Sequence, residues 1–283
     1  MYMNTRVKLA ILFICIVFST LNAQRSRHNM SIFGGIGKQG LNYSALAGNT
    51  KINIGQNFGV EYLYQFKPLT YFRIGVNVRS LMSEAYFNGT VESADIDTDG
   101  ENYVLRTIFT DLIEKQKTYA LSIPVGIARA IPIDEKNSIM FTVGANVMFG
   151  MRNHYEVTQG SIELRGFYSQ WNLELYDLPQ HGFFTTNERY TGSYSTKTMF
   201  SAFFDAEWDY RVFEKDAVFI RGTVESGVNN VYAGPNRALF QKDGIYNGVL
   251  NSSYTAKVYP VVYNISIGYR INLQKIICHC NWY

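Results

Sequence analysis

The chain has 283 residues, of which 47% are apolar, 15% aromatic and 17% charged. It is too apolar and too aromatic for a disordered protein, and it lacks the Lys-, Glu- and Ala-rich periodicity of a coiled coil. The formal charge of +3 falls to +1 if Arg6 and Lys8 are removed with a leader. No basic field therefore indicates a nucleic-acid partner.

The first 23 residues have the pattern of a cleaved secretory signal peptide. Arg6 and Lys8 precede an apolar run over Leu9–Phe18, and Leu21-Asn22-Ala23 supplies a small-residue cleavage site. The alternative is a membrane helix, but such a helix needs about 20 apolar residues. We predict an exported chain in which residues 24–29 form a short periplasmic linker.

The mature chain is dominated by alternation of apolar and polar side chains, which indicates β-strands. Each alternating segment is long enough to cross a bilayer, for which a strand needs about 9–11 residues. The segments are Met30–Lys38, Asn57–Phe66, Tyr71–Arg79, Lys117–Ile131, Ile139–Gly150, Phe200–Tyr210, Val218–Gly227 and Tyr259–Ile271.

The connections between these segments alternate in length. The short ones are 67–70, 134–138 and 213–216, and the long ones are roughly 39–56, 84–116, 152–197 and 229–257. In an up-and-down barrel this places all long loops at one end, and both termini with the short turns at the other, as in outer-membrane barrels. Within the second long loop, Ile108–Lys115 fits a short amphipathic helix or an extension of the next strand equally well.

The position of the charges decides which face of the strands points outward. The apolar faces end in Tyr or Trp, whereas the other faces carry charge in mid-strand; an outward Arg73 or Arg79 would cost up to about 2–4 kcal/mol near the bilayer midplane. A soluble eight-stranded barrel or sandwich would have to bury these charges in its core. We therefore predict an all-β fold, a single eight-stranded antiparallel up-and-down transmembrane β-barrel over residues 30–273.

An eight-stranded barrel is only wide enough for its side chains to fill it. We expect the inward charges to form ion pairs that plug the interior, with a narrow or gated pore as the alternative. These residues are Glu61, Arg73, Arg79, Asp205, Glu207, Asp209, Arg221, Glu225 and Arg270.

The segment Tyr119–Ile127 resembles the Tyr-x-x-x-Ile-Pro-Leu strand of an outer-membrane β-barrel domain common in Bacteroidota, a group that includes PorT-like and OmpA-barrel-like proteins. Gly59–Tyr62 with Phe72–Gly75, the closing Ser266–Arg270 and the junction Asn22-Ala23-Gln24 are similar too. The resemblance implies a barrel in the outer membrane and transfers no catalytic residue.

Such proteins commonly end with the last strand, whereas Gln274–Tyr283 follow it here. We read these residues as a short periplasmic tail, because continued alternation would place Lys275 on the lipid face. Within the tail, Cys278-His279-Cys280 supplies too few ligands for a closed zinc site.

One acidic motif resembles the opening of a calcium-binding loop. Asp95, Asp97 and Asp99 stand at alternate positions before Gly100, but Arg106 occupies the place of the bidentate Glu. A calcium site is thus a weak candidate, and a solvated acidic turn at the tip of a loop is the alternative.

No residue pattern favours catalysis. His154 and His181 fall in one long loop, but no nucleophile motif such as Gly-x-Ser-x-Gly is present in the sequence. We predict no enzymatic activity, no cofactor and no metal. The aromatic residues of that loop form either a self-packed structure or a contact surface for a ligand, polysaccharide or protein. The candidates for such a surface are Tyr155, Tyr168, Trp171, Tyr176 and Phe183.

Together these patterns predict a non-enzymatic integral outer-membrane protein that supports the envelope and displays its loops. The alternatives are a PorT-like accessory of a secretion or gliding apparatus and a small gated pore. The expected partners are outer-membrane lipid and lipopolysaccharide, the barrel assembly machinery during insertion, and an extracellular ligand or protein that binds the loops. Both termini are expected in the periplasm.

Overall fold

The computed structural model describes residues 27–45, 48–213, 216–234, 237–241 and 244–273. The predicted signal peptide and tail, including Cys278 and Cys280, lie outside the described residues. In the part of the chain that is described, regular structure consists of strands and two 3-10 helices, Pro179–His181 and Val249–Asn251. No helix there has the length and apolar character needed to cross a membrane.

Twelve strands occur in the described residues, and the longest interval between two of them is 228–254. In order, they are β1 His28–Ala45, β2 Gly48–Ile52, β3 Ile54–Lys67, β4 Thr70–Ile96, β5 Asn102–Pro132, β6 Asn137–Tyr168, β7 Leu173–Leu175, β8 Thr185–Thr186, β9 Thr191–Ser193, β10 Met199–Arg211, β11 Ala217–Gly227 and β12 Thr255–Asn272.

Eight of the strands close into a ring. Each pairs antiparallel with the next in the order β1, β3, β4, β5, β6, β10, β11 and β12, and β12 returns to β1. The predicted all-β antiparallel fold with eight strands in one ring is therefore confirmed, whereas the structure is less regular than the even eight-stranded barrel that the sequence predicts. The short strands β2, β7, β8 and β9 lie outside the ring and pair with β4 or β6.

Three ring strands are much longer than the sequence predicts. β4, β5 and β6 contain 27, 31 and 32 residues, so that most of 84–116 and the first part of 152–197 are strand rather than loop. Ile108–Lys115 lies within β5, which confirms the strand extension and not the helix. The pattern failed here because the outward faces of these extensions are polar and no longer show the apolar alternation of the lower strands.

The outward face of the ring carries a belt of exposed apolar side chains. Ile36, Ile265 and Ile267 are each at least 60% exposed. We call this set the apolar belt; its members are Ile32, Ile36, Phe58, Val60, Phe72, Ile74, Val76, Val78, Val125, Ile127, Phe141, Val143, Phe200, Phe204, Ile220, Val224, Ile265 and Ile267. Exposed Tyr119, Trp208, Tyr210 and Tyr263 flank it.

Beyond the belt, at the long-loop end, the three extended strands form a sheet whose inner face is covered. The described residues of the segment between β11 and β12, within 228–254, pack onto this face, and we call them the cap. Its side chains Val231, Leu239, Phe240, Val249 and Leu250 are buried in one apolar cluster with residues of β4, β5 and β6. The upper barrel is therefore filled by apolar packing and the lower barrel by charges.

Candidate functional site

The barrel interior contains a network of buried ion pairs centred on Arg221. Alternation on β3, β10 and β11 points Glu61, Glu207 and Arg221 into the lumen, where all three are at most 2% exposed. The Arg221 guanidinium lies 2.5 Å from a carboxylate oxygen of each glutamate. Arg221 thus neutralises carboxylates from β3 and β10, which lie on opposite sides of the ring.

Two further arginines extend this network. Arg73 lies 2.7 Å from both Glu61 and Asp205. Arg270 contacts Glu207 and donates to Asp209 at 2.8 Å. The network therefore crosses the lumen from β3 and β4 to β10, β11 and β12.

A second, smaller group of charges lies in the same lumen. Arg79 donates to Glu225 at 2.7 Å, and Glu225 also accepts hydrogen bonds from Asn146 and Ser201. All nine interior residues predicted from the sequence are buried, and each takes part in an ion pair. A buried charge is stable only when paired, so this arrangement fills the lumen with fixed contacts.

Cavities occur above and below the Arg221 network. One of about 20 Å³ lies beside Asp205 and Asn57 and is large enough for about one water molecule. A wider cavity of about 400 Å³ opens at the short-turn end and is lined by Tyr71, Asp209 and Arg270 among others.

The upper barrel contains a further buried acid, Glu114, which the sequence did not indicate. Its side chain is fully buried, and its carboxylate accepts hydrogen bonds from Tyr246 Oη at 2.5 Å, Gln116 Nε2 at 2.7 Å and the Val249 backbone N–H at 3.0 Å. No Lys, Arg or His of the described chain forms an ion pair with it. Burial raises the pKa of Glu114, and the three donors oppose that rise.

Glu114 faces inward because of a β-bulge. Up to Phe109 the odd positions of β5 are buried, whereas from Leu112 onward the even positions are. The register shifts between these points, where Asp111 adopts a φ of 49°. An extra residue in one strand reverses the side-chain alternation after it, so uninterrupted alternation from the tip would have placed Glu114 outside.

Tyrosines surround Glu114. Burial raises the pKa of Tyr155 to about 12 and also raises the pKa of Tyr43, Tyr194 and Tyr246. The Glu114 charge contributes to each of these shifts. The phenols therefore stay neutral through the physiological range, and the Tyr246 hydroxyl donates to the carboxyl group.

The predicted aromatic contact surface divides into two groups. Tyr155, Tyr168 and Phe183 are at most 6% exposed and pack within the loop core, so they cannot meet a partner in this conformation. Trp171 and Tyr176 are 58% and 60% exposed. Loop self-packing thus accounts for the first group, because an aromatic residue in sequence does not reveal which side of a folded loop it occupies.

The acidic motif lies at the tip of the β4–β5 hairpin. Asp97 accepts backbone hydrogen bonds from Asp99 and Glu101, which lower its pKa, and Asp95 accepts one from Ile96. The described residues contain no group of three His, Cys, Asp or Glu side chains that could hold a metal ion. The Asp95 and Asp97 carboxylates thus bind backbone N–H groups of the turn.

The two loop histidines are separate features of the surface. His154 lies on β6, where it pairs with Lys117 of β5 and Ser193 of β9. His181 ends the first 3-10 helix, which has no buried residues. Both side chains are exposed.

The chain matches no protein-family model and no curated protein sequence. Similar solved structures include OprG of Pseudomonas aeruginosa, with a TM-score of 0.37, 9% identity and coverage of 87% of this chain and 96% of that one. The attachment invasion locus protein Ail of Yersinia pestis has a TM-score of 0.31 and 12% identity, with coverage of 87% of this chain and 99% of that one. The N-terminal β-barrel domain of P. aeruginosa OprF has a TM-score of 0.25 and 10% identity, with coverage of 87% of this chain and 98% of that one. The barrel fold of this chain follows from its own strand pairings.

Proposed function

We propose that this chain is a non-enzymatic integral outer-membrane β-barrel protein that supports the envelope and displays the long-loop end of its barrel. The observation that carries the proposal is the combination of an exposed apolar belt with a charged, ion-paired interior. A water-soluble barrel has the opposite arrangement, since its apolar side chains fill the interior.

The size of the belt gives the proposal its energetic basis. Fully burying an aliphatic or aromatic side chain gains about 1.5–3 kcal/mol. The belt side chains are still about 40–70% exposed on the isolated chain. Their transfer into hydrocarbon therefore gains a total on the order of tens of kcal/mol, and closed barrels are among the few structures that also satisfy all backbone groups there.

The same proposal includes the orientation and the partners. The predicted signal peptide exports the chain, the barrel assembly machinery inserts it, and both termini lie in the periplasm with the short turns. Outer-membrane lipid and lipopolysaccharide then surround the belt. Because short turns face the periplasm in such barrels, the extended sheet and the cap project from the cell.

The long-loop end offers a surface for an extracellular ligand or protein. Trp171 stacks on Tyr168 with ring centroids 5.6 Å apart and keeps most of its surface exposed. Tyr176 lies beside the Arg165 guanidinium. Exposed aromatic and arginine side chains are enriched in binding interfaces, so we assign contact with a partner to Trp171 and Tyr176 and not to the three buried aromatics.

Cysteine labelling on whole cells tests location and orientation together. In a Cys278→Ser/Cys280→Ser background, Trp171→Cys marks the long-loop end and Asp134→Cys marks a short turn. We expect a membrane-impermeant maleimide to label Trp171→Cys on intact cells, and Asp134→Cys only after the outer membrane is permeabilised. The reverse pattern would contradict the orientation, and a soluble periplasmic protein would contradict the membrane location. A steady single-channel conductance would contradict the plugged interior.

A further inference from the structure

The first residues of the cap, 228–231, are held to β10 and β12 by hydrogen bonds, among them Val228 N–H to the Phe200 carbonyl at 2.8 Å and Val231 N–H to the Val258 carbonyl at 2.9 Å. The later part, residues 237–254 as far as they are described, has few polar attachments to the strands below it. It is joined to β6 by the Tyr155 hydroxyl, which donates to the Tyr246 carbonyl at 2.9 Å. The Asn251 side chain donates to the Ser193 carbonyl at 2.8 Å. The remaining contact of this later part with the strands is apolar packing, so the hydrogen bonds to Glu114 are a large part of what fixes its position.

Glu114 joins β5 to two points of the cap at once. Tyr246 donates from one side, and the Val249 N–H donates from the first turn of the second 3-10 helix. Gly248, immediately before that helix, adopts φ 80° and ψ 147°, a backbone region that essentially only glycine occupies. This backbone conformation directs the Val249 N–H towards the Glu114 carboxyl group.

The groups that face Glu114 are all neutral. They are Tyr43 of β1, Gln116 of β5, Tyr155 of β6, Tyr194 of the segment between β9 and β10, and Tyr246 of the cap. A buried carboxylate without a cation is costly, and the usual response is to take up a proton.

The neighbourhood also has an acceptor ready for that proton. Gln116 Nε2 donates to Glu114 at 2.7 Å, while Gln116 Oε1 is buried without a hydrogen-bond partner. Turning the amide over would present this oxygen to a protonated Glu114. Both protonation states can therefore be satisfied without moving the cap.

We propose that Glu114 is a proton-binding site that sets how firmly the cap closes the external mouth of the barrel. When the cap opens, Glu114 meets water and returns to its ordinary pKa of 4.5. The closed state holds the proton more tightly. Closure is therefore strongest below pH 4.5 and weakens as the pH rises towards the higher pKa of the closed state.

The test is hydrogen exchange of residues 244–254 in the folded, full-length protein in detergent, read by mass spectrometry. Glu114→Gln keeps an oxygen for Tyr246 and Val249 but cannot titrate. The ratio of wild-type to Glu114→Gln exchange rates removes the intrinsic effect of pH on exchange. We expect this ratio to rise between pH 4.5 and pH 8, roughly tenfold for each unit by which burial raises the pKa.

Two further variants separate titration from loss of structure. Glu156→Gln changes an exposed acid on β6 and should follow the wild type at every pH. Glu114→Leu removes the acceptor and should expose the cap at every pH, with the barrel itself intact by its cold electrophoretic mobility. A flat ratio across the pH range would overturn the proposal, as would a Glu114→Gln cap that opens as fully as that of Glu114→Leu.

Discussion

Replacement of Arg221 by methionine tests whether the interior charges hold the barrel together as a paired network. Arg221 is 2% exposed and contacts both Glu61 and Glu207. Methionine retains part of the side-chain volume but leaves carboxylates without their shared cation. Removing one partner of a buried ion pair costs about 3–5 kcal/mol, which lowers the folding equilibrium constant by roughly two to four orders of magnitude.

The assay is urea unfolding in detergent, followed by the electrophoretic shift between folded and unfolded barrel. Arg221→Lys keeps the charge but loses the guanidinium that contacts both Glu61 and Glu207, so its stability should lie between those of the wild type and Arg221→Met. Arg165→Met is the matched control, because Arg165 pairs with Glu163 on the partly exposed outer sheet. Exposed pairs contribute about 0–1 kcal/mol.

A double variant isolates the pairing energy. Combined with Glu61→Gln, Arg221→Met should cost less than the sum of the two single changes, because a neutral amide no longer needs the cation. If Arg221→Met were as stable as the wild type, or if the two changes were strictly additive, the network would not stabilise the barrel as described.

Two further changes test the belt and the cap. Ile265 is 67% exposed within the belt, and Ile265→Arg should lower the free energy of unfolding in lipid bilayers by about 2–4 kcal/mol. The control Thr110→Arg lies beyond the belt and should change this free energy by no more than about 0.5 kcal/mol. Equal effects of the two variants would contradict the lipid-facing belt. Gly248 has a φ of 80°, and the Cβ of Gly248→Ala would lie 2.6 Å from the Tyr155 ring, so this variant should speed proteolysis of the cap. The control Gly100→Ala has a similar φ of 87°, but its Cβ would meet no atom within 4 Å, so it should leave cap proteolysis unchanged.

The sequence was sufficient for the ring of strands because the lipid-facing barrel that we propose requires one simple pattern. Side chains such as Ile265 and Ile267 must be apolar on one face, and charges such as Arg73 must lie on the other. Period-two alternation then identifies each strand and which of its two faces points outward. The inward charges could be identified for the same reason, because each lies on the strand face opposite the apolar one.

The upper barrel could not be predicted in this way because it lies outside that constraint. There the outward face is polar, and a bulge near Asp111 reverses the alternation before Glu114. The cap residues Tyr246 and Val249 come from a segment with no strand pattern, and their contact with β5 spans more than 130 residues of sequence. Only folding in three dimensions brings these groups together, and no local signal marks them.

The central claim is that a closed, ion-paired barrel resides in the outer membrane. The most direct measurement compares boiled and unboiled outer-membrane fractions by electrophoresis in SDS. We expect the unboiled protein to run as a compact band and boiling to slow its migration. A protein found in the soluble fraction, with the same mobility before and after boiling, would contradict both the location and the orientation of the apolar belt.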